Sequence, residues 1–348
     1  TRRNTTSAIS GISGKAIENL PAPSVDGLLQ GRVAGMNVQI TSGEPGVTPT
    51  IVVRGNSKVS TNINDNAVAQ SRALSSPLYV IDGIPTSTDD IDNAVGATGT
   101  NYLAGININD IEEVVLQKDA AATAAWGSRG ANGVIYIKTK KGRSATPEFR
   151  VNIYGGVSER PLLLKTLTGQ AERTAKMNLL YDYLTPAQIA SSIPQMLTDS
   201  LNPSYNNATD WQGLFYRQAV VKNVDGSFSA ATQNVNYRVS FNYYDEQGII
   251  KSFGYSRYSI RGNFDFKITP KLNTQLIVGL SRGDRKRGMK YGNSDNNTPV
   301  SGSSIPSSFD GLNSLDSSLF LGVASQLRNK NISDQLNASL TVNYDILP

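Results

Sequence analysis

The two halves of the chain carry different hydrophobic patterns. Up to about residue 145, apolar residues come in short runs bounded by Gly, Pro and Asn: "MNVQIT" (36–41), "TIVVRG" (50–55), "PLYVIDG" (77–83), "EEVVLQK" (112–118) and "NGVIYIKT" (132–139). Runs rather than alternations predict strands buried on both faces. Two short helices are predicted between them. One surrounds "SVDGLLQGRV" with Ser24 as cap; the other is "DAAATAAW", capped by Asp119 and stopped by Gly127. Together they make a compact N-terminal α+β domain over residues 1–142. The basic, turn-forming stretch "KTKKGRSATPE" then leads into a linker at 143–148.

From residue 149 the pattern becomes a long alternation of period two. "NVNYRVSFNYYDE" sets Val235, Tyr237, Val239, Phe241 and Tyr243 on one face, and Asn234, Asn236, Arg238, Ser240 and Asn242 on the other. "RYSIRGNFDFKI" opposes Tyr258, Ile260, Phe264, Phe266 and Ile268 to Arg257, Ser259, Arg261, Asn263, Asp265 and Lys267. "LNASLTVNYDI" opposes Leu336, Ala338, Leu340, Val342 and Tyr344 to Asn337, Ser339, Thr341 and Asn343. Weaker copies at 149–159, 222–231 and 272–282 bring the strands to about six, of about 10 to 13 residues each.

Alternation alone also fits a water-soluble sandwich. Three features predict antiparallel transmembrane β-barrel strands instead. Ordinary strands run about five or six residues, whereas a tilted membrane-crossing strand needs about 9–11. The polar face is rich in Asn, Ser and Arg, as a wet lumen requires. The connections alternate in length, tight at "TQ" (232–233) and "TPK" (269–271) but long at 160–221, 246–255 and 283–331. Short turns on one rim and long loops on the other are the pattern of an outer-membrane barrel. Tyr243 and Tyr258 then fall near the long-loop rim and Tyr344 near the short-turn rim, where aromatic girdles belong.

Six strands enclose too little space for a folded domain, which calls for a plugged barrel of about 22 strands. At ~33 residues per strand, that barrel needs roughly 500 residues more. The chain is therefore expected to be a fragment of one, and the ending "VNYDILP", which stops as a turn begins, agrees.

Composition narrows the chemistry. Hydrophobic residues are 39% and charged residues 18%, and the 348 residues include no His and no Cys. The usual zinc sites, Cys nucleophiles, Ser-His-Asp triads and disulfides are thereby excluded, and neither metal nor cofactor is expected. Carboxylate, Lys and Tyr chemistry stays open. The net charge of +5 is scattered along the chain, which argues against a nucleic-acid partner. No apolar run reaches the ~18 residues of a spanning helix, a limit that β-strands escape. The opening "TRRNTTSAIS" has no apolar signal-peptide core.

Several residues invite chemical roles. "GSRGANG" spaces Gly127, Gly130 and Gly133 as a phosphate loop might, with Ser128, Arg129 and Asn132 between them. Chain order decides against that role. A phosphate loop runs strand, loop, helix, so that free N–H groups and the positive dipole end face the anion. Here the helix precedes the loop and a strand follows, so the glycines read as a helix stop and tight turns, with Arg129 as a polar contact inside the domain or to the barrel wall. Lys118 and Asp119 could form an acid–base pair, but a cap beside a charge explains them. Asp82 could ligate a cation, but Asp82-Gly83 after a strand is ordinary turn chemistry. Arg282, Arg285, Lys286, Arg287 and Lys290 follow the fifth strand at the long-loop rim, where a basic cluster could meet lipopolysaccharide phosphates.

Long stretches resemble a known family. "LLQGRVAGMNVQITSGEPG" (28–46), "IVVRGN" (51–56), "PLYVIDGIP" (77–85) and "INDIEEVVLQKDAAATAAWGSRGANGVIYIKTKKG" (108–142) are similar to the plug of SusC/RagA-type TonB-dependent outer-membrane transporters. "TDWQGLFYRQA" (209–219) and "NYRVSFNYYDEQGIIKSFGYSRYSIRGNFDFKIT" (236–269) resemble that family's first barrel strands. The resemblance implies TonB-driven import of an oligosaccharide or peptide through the outer membrane of Bacteroidota-type bacteria. It implies a SusD-like surface lipoprotein as lid, and TonB acting on a box upstream of residue 1. It implies no catalysis, and it makes Asp82, Gly83, Lys118, Asp119 and the residues of "GSRGANG" parts of a mainly structural plug motif. Two other readings remain at this point: a soluble nucleotide-binding enzyme with a β-rich accessory domain, and a TonB-linked signal-transducing receptor.

Overall fold

The computed structural model describes residues 9–40, 43–53, 76–86, 101–162, 164–251, 253–287, 308 and 329–346. In the first part, strands β1 (Ile9–Ser13), β4 (Leu78–Ile81), β5 (Ile84–Thr86), β6 (Ile111–Gln117) and β7 (Val134–Thr139) form one sheet in the order β1-β6-β7-β4-β5. Only β4 and β7 run parallel. Strands β2 (Met36–Gln39) and β3 (Thr50–Val53) make a separate antiparallel pair. Apolar runs become strands, but their burial differs: β4 and β7 are largely buried on both faces, whereas β3 and β6 bury one face more than the other and β2 buries only Val38. All four residues of β4 are buried. Ile111, Val114, Leu116, Ile135 and Ile137 pack on one side with Ile17, Val25, Leu29, Ile51 and Leu103. Leu78, Val80 and Val134 pack on the other, beneath Trp126 and Tyr136. The edge strands β1 and β5 have no such run, and the sequence pattern passes over them.

The helices are shorter than expected. Helix α1 (Val25–Leu28) is a single turn, and Gly31 at φ 68° ends any continuation. Ser24 stands at its N-cap without capping a backbone N–H, and its side chain supports the Asp26 carboxylate instead. "DAAATAAW" yields one α turn, α2 (Ala120–Thr123), followed by 3-10 turns over Ala124–Gly130 that bend at Gly127, φ 60°.

The second part is a six-stranded antiparallel meander of β8 (Glu148–Ser158), β9 (Ala219–Ala231), β10 (Val235–Gln247), β11 (Gly254–Thr269), β12 (Leu272–Arg287) and β13 (Asn329–Tyr344). Residues 232–234 and 270–271 make the tight turns, whereas β8 and β9 are separated by residues 159–218. That long connection holds helices α3 (Gln170–Tyr183), α4 (Pro186–Ser192), α5 (Gln195–Thr198) and α6 (Trp211–Phe215). β11, β12 and β13 have 16 residues each, longer than expected, because pairing continues past the apolar segment: Lys286 opposes both Gly254 and Lys330. The second long connection shrinks accordingly to residues 248–253.

Register turns the alternation into two surfaces. Phe241, Ile260, Leu280 and Leu336 are paired in one row, and all four are exposed on the outer face. The next outward row toward the long loops holds Tyr243, Tyr258, Arg282 and Asp334, with the two tyrosine rings 4.9 Å apart. This is an apolar band ending in an aromatic girdle. The opposite face carries Asp225, Arg238, Ser240, Asn242, Arg257 and Asn263, all buried against the first domain.

Candidate functional site

The inner face of the sheet meets the N-terminal domain through polar contacts centred on four arginines. A buried arginine requires partners for its charge, since desolvating it is costly. Each of these four holds a different segment of the inner domain. Arg238 on β10 lies 3.3 Å from Asp110, whose other oxygen accepts the Ser240 hydroxyl at 2.6 Å. Arg261 on β11 pairs with Asp82 at 2.5 Å. Arg257 on β11, 2% exposed, donates to the carbonyl oxygens of Pro23 (3.0 Å), Ala104 and Ile106 (3.3 Å). Its other nitrogen donates to Asn242 Oδ1 at 2.7 Å, and the guanidinium lies 5.5 Å from the centre of the Tyr244 ring. Arg285 on β12 pairs with Glu44 at 2.8 Å.

Further polar contacts fill the spaces between these clasps. Asn107 donates to Asp225, and Asn263 donates to Thr139 Oγ1 (2.9 Å) and to the Lys140 carbonyl (2.7 Å). Lys141 pairs with Asp265 at 3.2 Å. Gly142 lies so close to the β9–β10 hairpin that an added Cβ would stand 2.3 and 2.4 Å from the carbonyl oxygens of Tyr237 and Ala230. Inside the domain, Asp26 is fully enclosed and accepts from Asn101 Nδ2 at 2.8 Å. Burial pushes its carboxyl above the usual range, against the hydrogen bonds from Ser24 and Asn101. Asn101 in turn caps the 3-10 turn Tyr102–Gly105, whose Ala104 carbonyl Arg257 holds.

The residues singled out by sequence fall in several places. Asp82 and Gly83, at φ 50° and 91°, form the two-residue turn between β4 and β5. Beyond its turn role, Asp82 accepts from Thr139 N and Thr139 Oγ1, both at 2.8 Å, and grips Arg261. Lys118 reaches back to the Ala34 carbonyl at 2.7 Å, its stem lying over Gly35. It ties the end of β6 to the turn after α1. Asp119 starts α2 through its carbonyl, which accepts from Ala122 and Thr123.

"GSRGANG" is wound into the 3-10 turns and joins β4 to the strand after it. Ser128 accepts from Ala131 N through its carbonyl, Asn132 donates to Ser76, and Gly133, at φ 94°, accepts from Leu78 N. Gly130 is buried against Thr123. Arg129 is exposed, and its side chain makes no hydrogen bond or ion pair among the described residues. A strand, not a helix N-terminus, follows the loop, so no phosphate cradle exists.

The basic cluster is divided rather than gathered, because it lies in β12 and alternates sides. Arg285 points inward, 1% exposed, and its pairing with Glu44 withdraws it from any lipid contact. Arg282 and Lys286 point outward, and Arg282 makes two hydrogen bonds to Asp334 at 2.6 and 2.7 Å. The side chain of Arg287 and all of Lys290 lie outside the described residues.

Sequence reasoning placed the wall arginines on a wet face but not against specific partners. The available signal was chemical: Asn and Ser suffice for a wet surface, so repeated Arg among them indicates carboxylates or carbonyls opposite.

The family described as TonB-dependent Receptor Plug Domain matches residues 1–134. Over 293 residues the chain is 37% identical to TonB-dependent receptor P26 of Formosa agariphila, a match covering 83% of this chain and 26% of that protein. Over 261 residues it is 31% identical to TonB-dependent receptor SusC of Bacteroides thetaiotaomicron, covering 73% and 23% respectively. The solved structure of the RagAB peptide importer in its closed-closed state superposes with a TM-score of 0.64 at 26% identity, over 83% of this chain and 32% of that one. The chain spans about a quarter of the length of these curated relatives. These matches support one assignment, and the chain belongs to the SusC/RagA family of TonB-dependent receptors.

Proposed function

We propose that this chain forms the plug and adjoining wall of an importer for a large nutrient, an oligosaccharide or a peptide, in the bacterial outer membrane. Residues 1–142 act as plug, 143–148 as linker and 149–348 as wall. A SusD-like surface lipoprotein closes over the long-loop rim, and TonB acts on a box upstream of residue 1. The protein performs no bond chemistry; its work is differential binding. Cargo in the lumen favours a plug state that exposes the box, and TonB then displaces the plug. The outward cations Lys286 and Arg282, just beyond the apolar band, serve as contacts for anionic lipid phosphates.

The observation that carries this reading is the polar plug–wall interface. An apolar interface resists wetting, whereas charged and amide contacts can be exchanged one for one with water as the plug moves. The plug therefore has an apolar interior that keeps its shape and a boundary that water can replace. Deletion of the upstream box in the full-length protein is expected to abolish uptake while cargo binding survives; uptake that persists in the deletion strain refutes the mechanism.

A further inference from the structure

The N-terminal domain does not meet the wall equally on all sides. Against β11–β13 it lies close. A Cβ added at Gly46 would stand 2.7 Å from the Tyr255 ring, and one at Gly105 would stand 2.2 Å from Gln335 and 2.7 Å from Ser281. The space between residues 105–110 and β11–β13 amounts to about 20 Å³, room for a single water. Against β8–β10 a cavity of about 520 Å³ opens instead. The edge strand β1 and its neighbour β6 line one side of it, and Glu148, Arg150, Ser229 and Arg238 line the other. Its volume falls within the ~300–1,000 Å³ of ordinary ligand sites.

Strand register fixes the height of this cavity. Glu148, Ser229 and Arg238 are paired in one row, and Arg150, Ser227 and Ser240 in the next row toward the long loops. The row above them, Asn152, Asp225 and Asn242, touches the inner domain again. There Asn152 donates to Asn19 Oδ1 at 2.6 Å, and Asn107 donates to Asp225. The cavity therefore lies on the short-turn side of the wall, with one row of side chains across its upper end. Both contacts in that row are made by amides, which exchange for water at less cost than a guanidinium–carboxylate pair. Cations lining the cavity are largely spent on carboxylates: Arg150 on Glu148 at 3.0 Å, Arg143 on Glu112 at 2.5 Å and Lys141 on Asp265 at 3.2 Å. Paired charges, hydroxyls and amides suit an uncharged chain rich in hydrogen-bonding groups better than an ion.

We propose that this cavity is the short-turn end of the path taken by cargo, a site for several units of an uncharged sugar or peptide chain. The row of Asn152 and Asp225 is the seal across that path. The inference rests on the import reading above. Loss of the two amide contacts joins the cavity to the lumen above, while the arginines of β11 and β12 keep their hold. Cargo then passes on the β8–β10 side with the plug still attached opposite.

Full-length protein in liposomes tests the seal without TonB. Asn152→Ala combined with Asp225→Ala is expected to raise entry of a labelled tetrasaccharide or a labelled uncharged tetrapeptide about tenfold, since each lost contact favours the open seal. The probe that enters faster identifies the cargo chemistry the path accepts. Arg285→Ala breaks a stronger contact where no such cavity stands behind it, and should admit neither probe. No entry in the double variant, or equal entry in Arg285→Ala, overturns the proposal.

Residues 1–348 contain no cysteine, so one can be placed at Ser229 once any in the rest of the protein has been replaced. Benzyl methanethiosulfonate on Ser229→Cys should close the leak of the double variant. In cells, the same adduct on the otherwise unsubstituted protein should stop uptake of fluorescent maltodextrin and peptide pools. The adduct on Asn273→Cys, on β12 near the same rim, should do neither. A leak or an uptake that survives modification of Ser229→Cys places the path elsewhere and sinks the proposal. If the unmodified protein takes up neither pool, the import reading fails and the cargo role with it, while the leak still decides where the seal lies.

Discussion

The four wall arginines differ in what their loss would leave behind. Arg261→Ala strands the Asp82 carboxylate in a buried site, and removing one partner of such a pair costs about 3 kcal/mol or more. The expected result is a plug that detaches at lower urea in the full-length protein, while Arg282→Ala, which breaks an exposed pair with Asp334, leaves the midpoint unchanged. Two carboxylates outside the membrane-crossing strands respond to pH with opposite sign. Asp26 binds its proton more tightly folded than unfolded, because burial disfavours its charge. Between its ordinary and its raised value the folded state holds the extra proton, so plug stability falls as pH rises through that window. Asp26→Asn should flatten this slope in pH-dependent urea titrations. Burial raises Glu172 too, but its bonds from Lys176 and Ser308 outweigh that effect and leave it below the ordinary value. Its contribution is present at neutral pH and disappears as pH falls through that lowered value, so the stability that Glu172 adds to α3 should fade only in acid.

At the scale of elements, the sequence was informative where one physical demand ruled a whole stretch. Runs such as "PLYVIDG" named the doubly buried strands, and alternation named the two faces of β10 and β11 residue by residue. Elements set by neighbours rather than by their own pattern were not legible. β1 has no apolar run and exists because Ile9–Ser13 pairs with Glu113–Gln117. The upper part of β12 reads as a basic loop, yet it pairs on both sides and so sends Arg285 inward and Arg282 outward. The clasp partners of the wall arginines were hidden for the same reason, since Asp82 and Arg261 are brought together only by the fold. The last residue before the linker offers a prediction at this scale. Gly142→Ala would drive a methyl against two backbone carbonyls that cannot turn aside, so the linker must lift off the β9–β10 hairpin. Proteolysis at 140–146 should become markedly faster, while Gly156→Ala, with open space around it, should change nothing.

For the whole molecule, the outer band makes a separate demand. Ile260 stands in the exposed row with Phe241 and Leu280, so Ile260→Arg should cost about 2–4 kcal/mol when the full-length barrel folds into vesicles. A comparable loss from Ser227→Ala, on the buried inner face, would contradict the assignment of faces. The positions of the four arginines along the wall have a mechanical outcome as well. Arg238 lies nearest the short turns; Arg261 pairs with Ser240, Arg257 with Tyr244, and Arg285 with Tyr255, which pairs with Glu246. From 238 to 246 on β10 is eight residues, or about 27 Å along the strand. A pressure spread over the plug loads all four attachments at once and must overcome their sum. A tug from the short-turn side loads them in turn, lowest first, and meets only one at a time. The same bonds can thus hold a seal against leakage and still come undone, like a zip, from a single end.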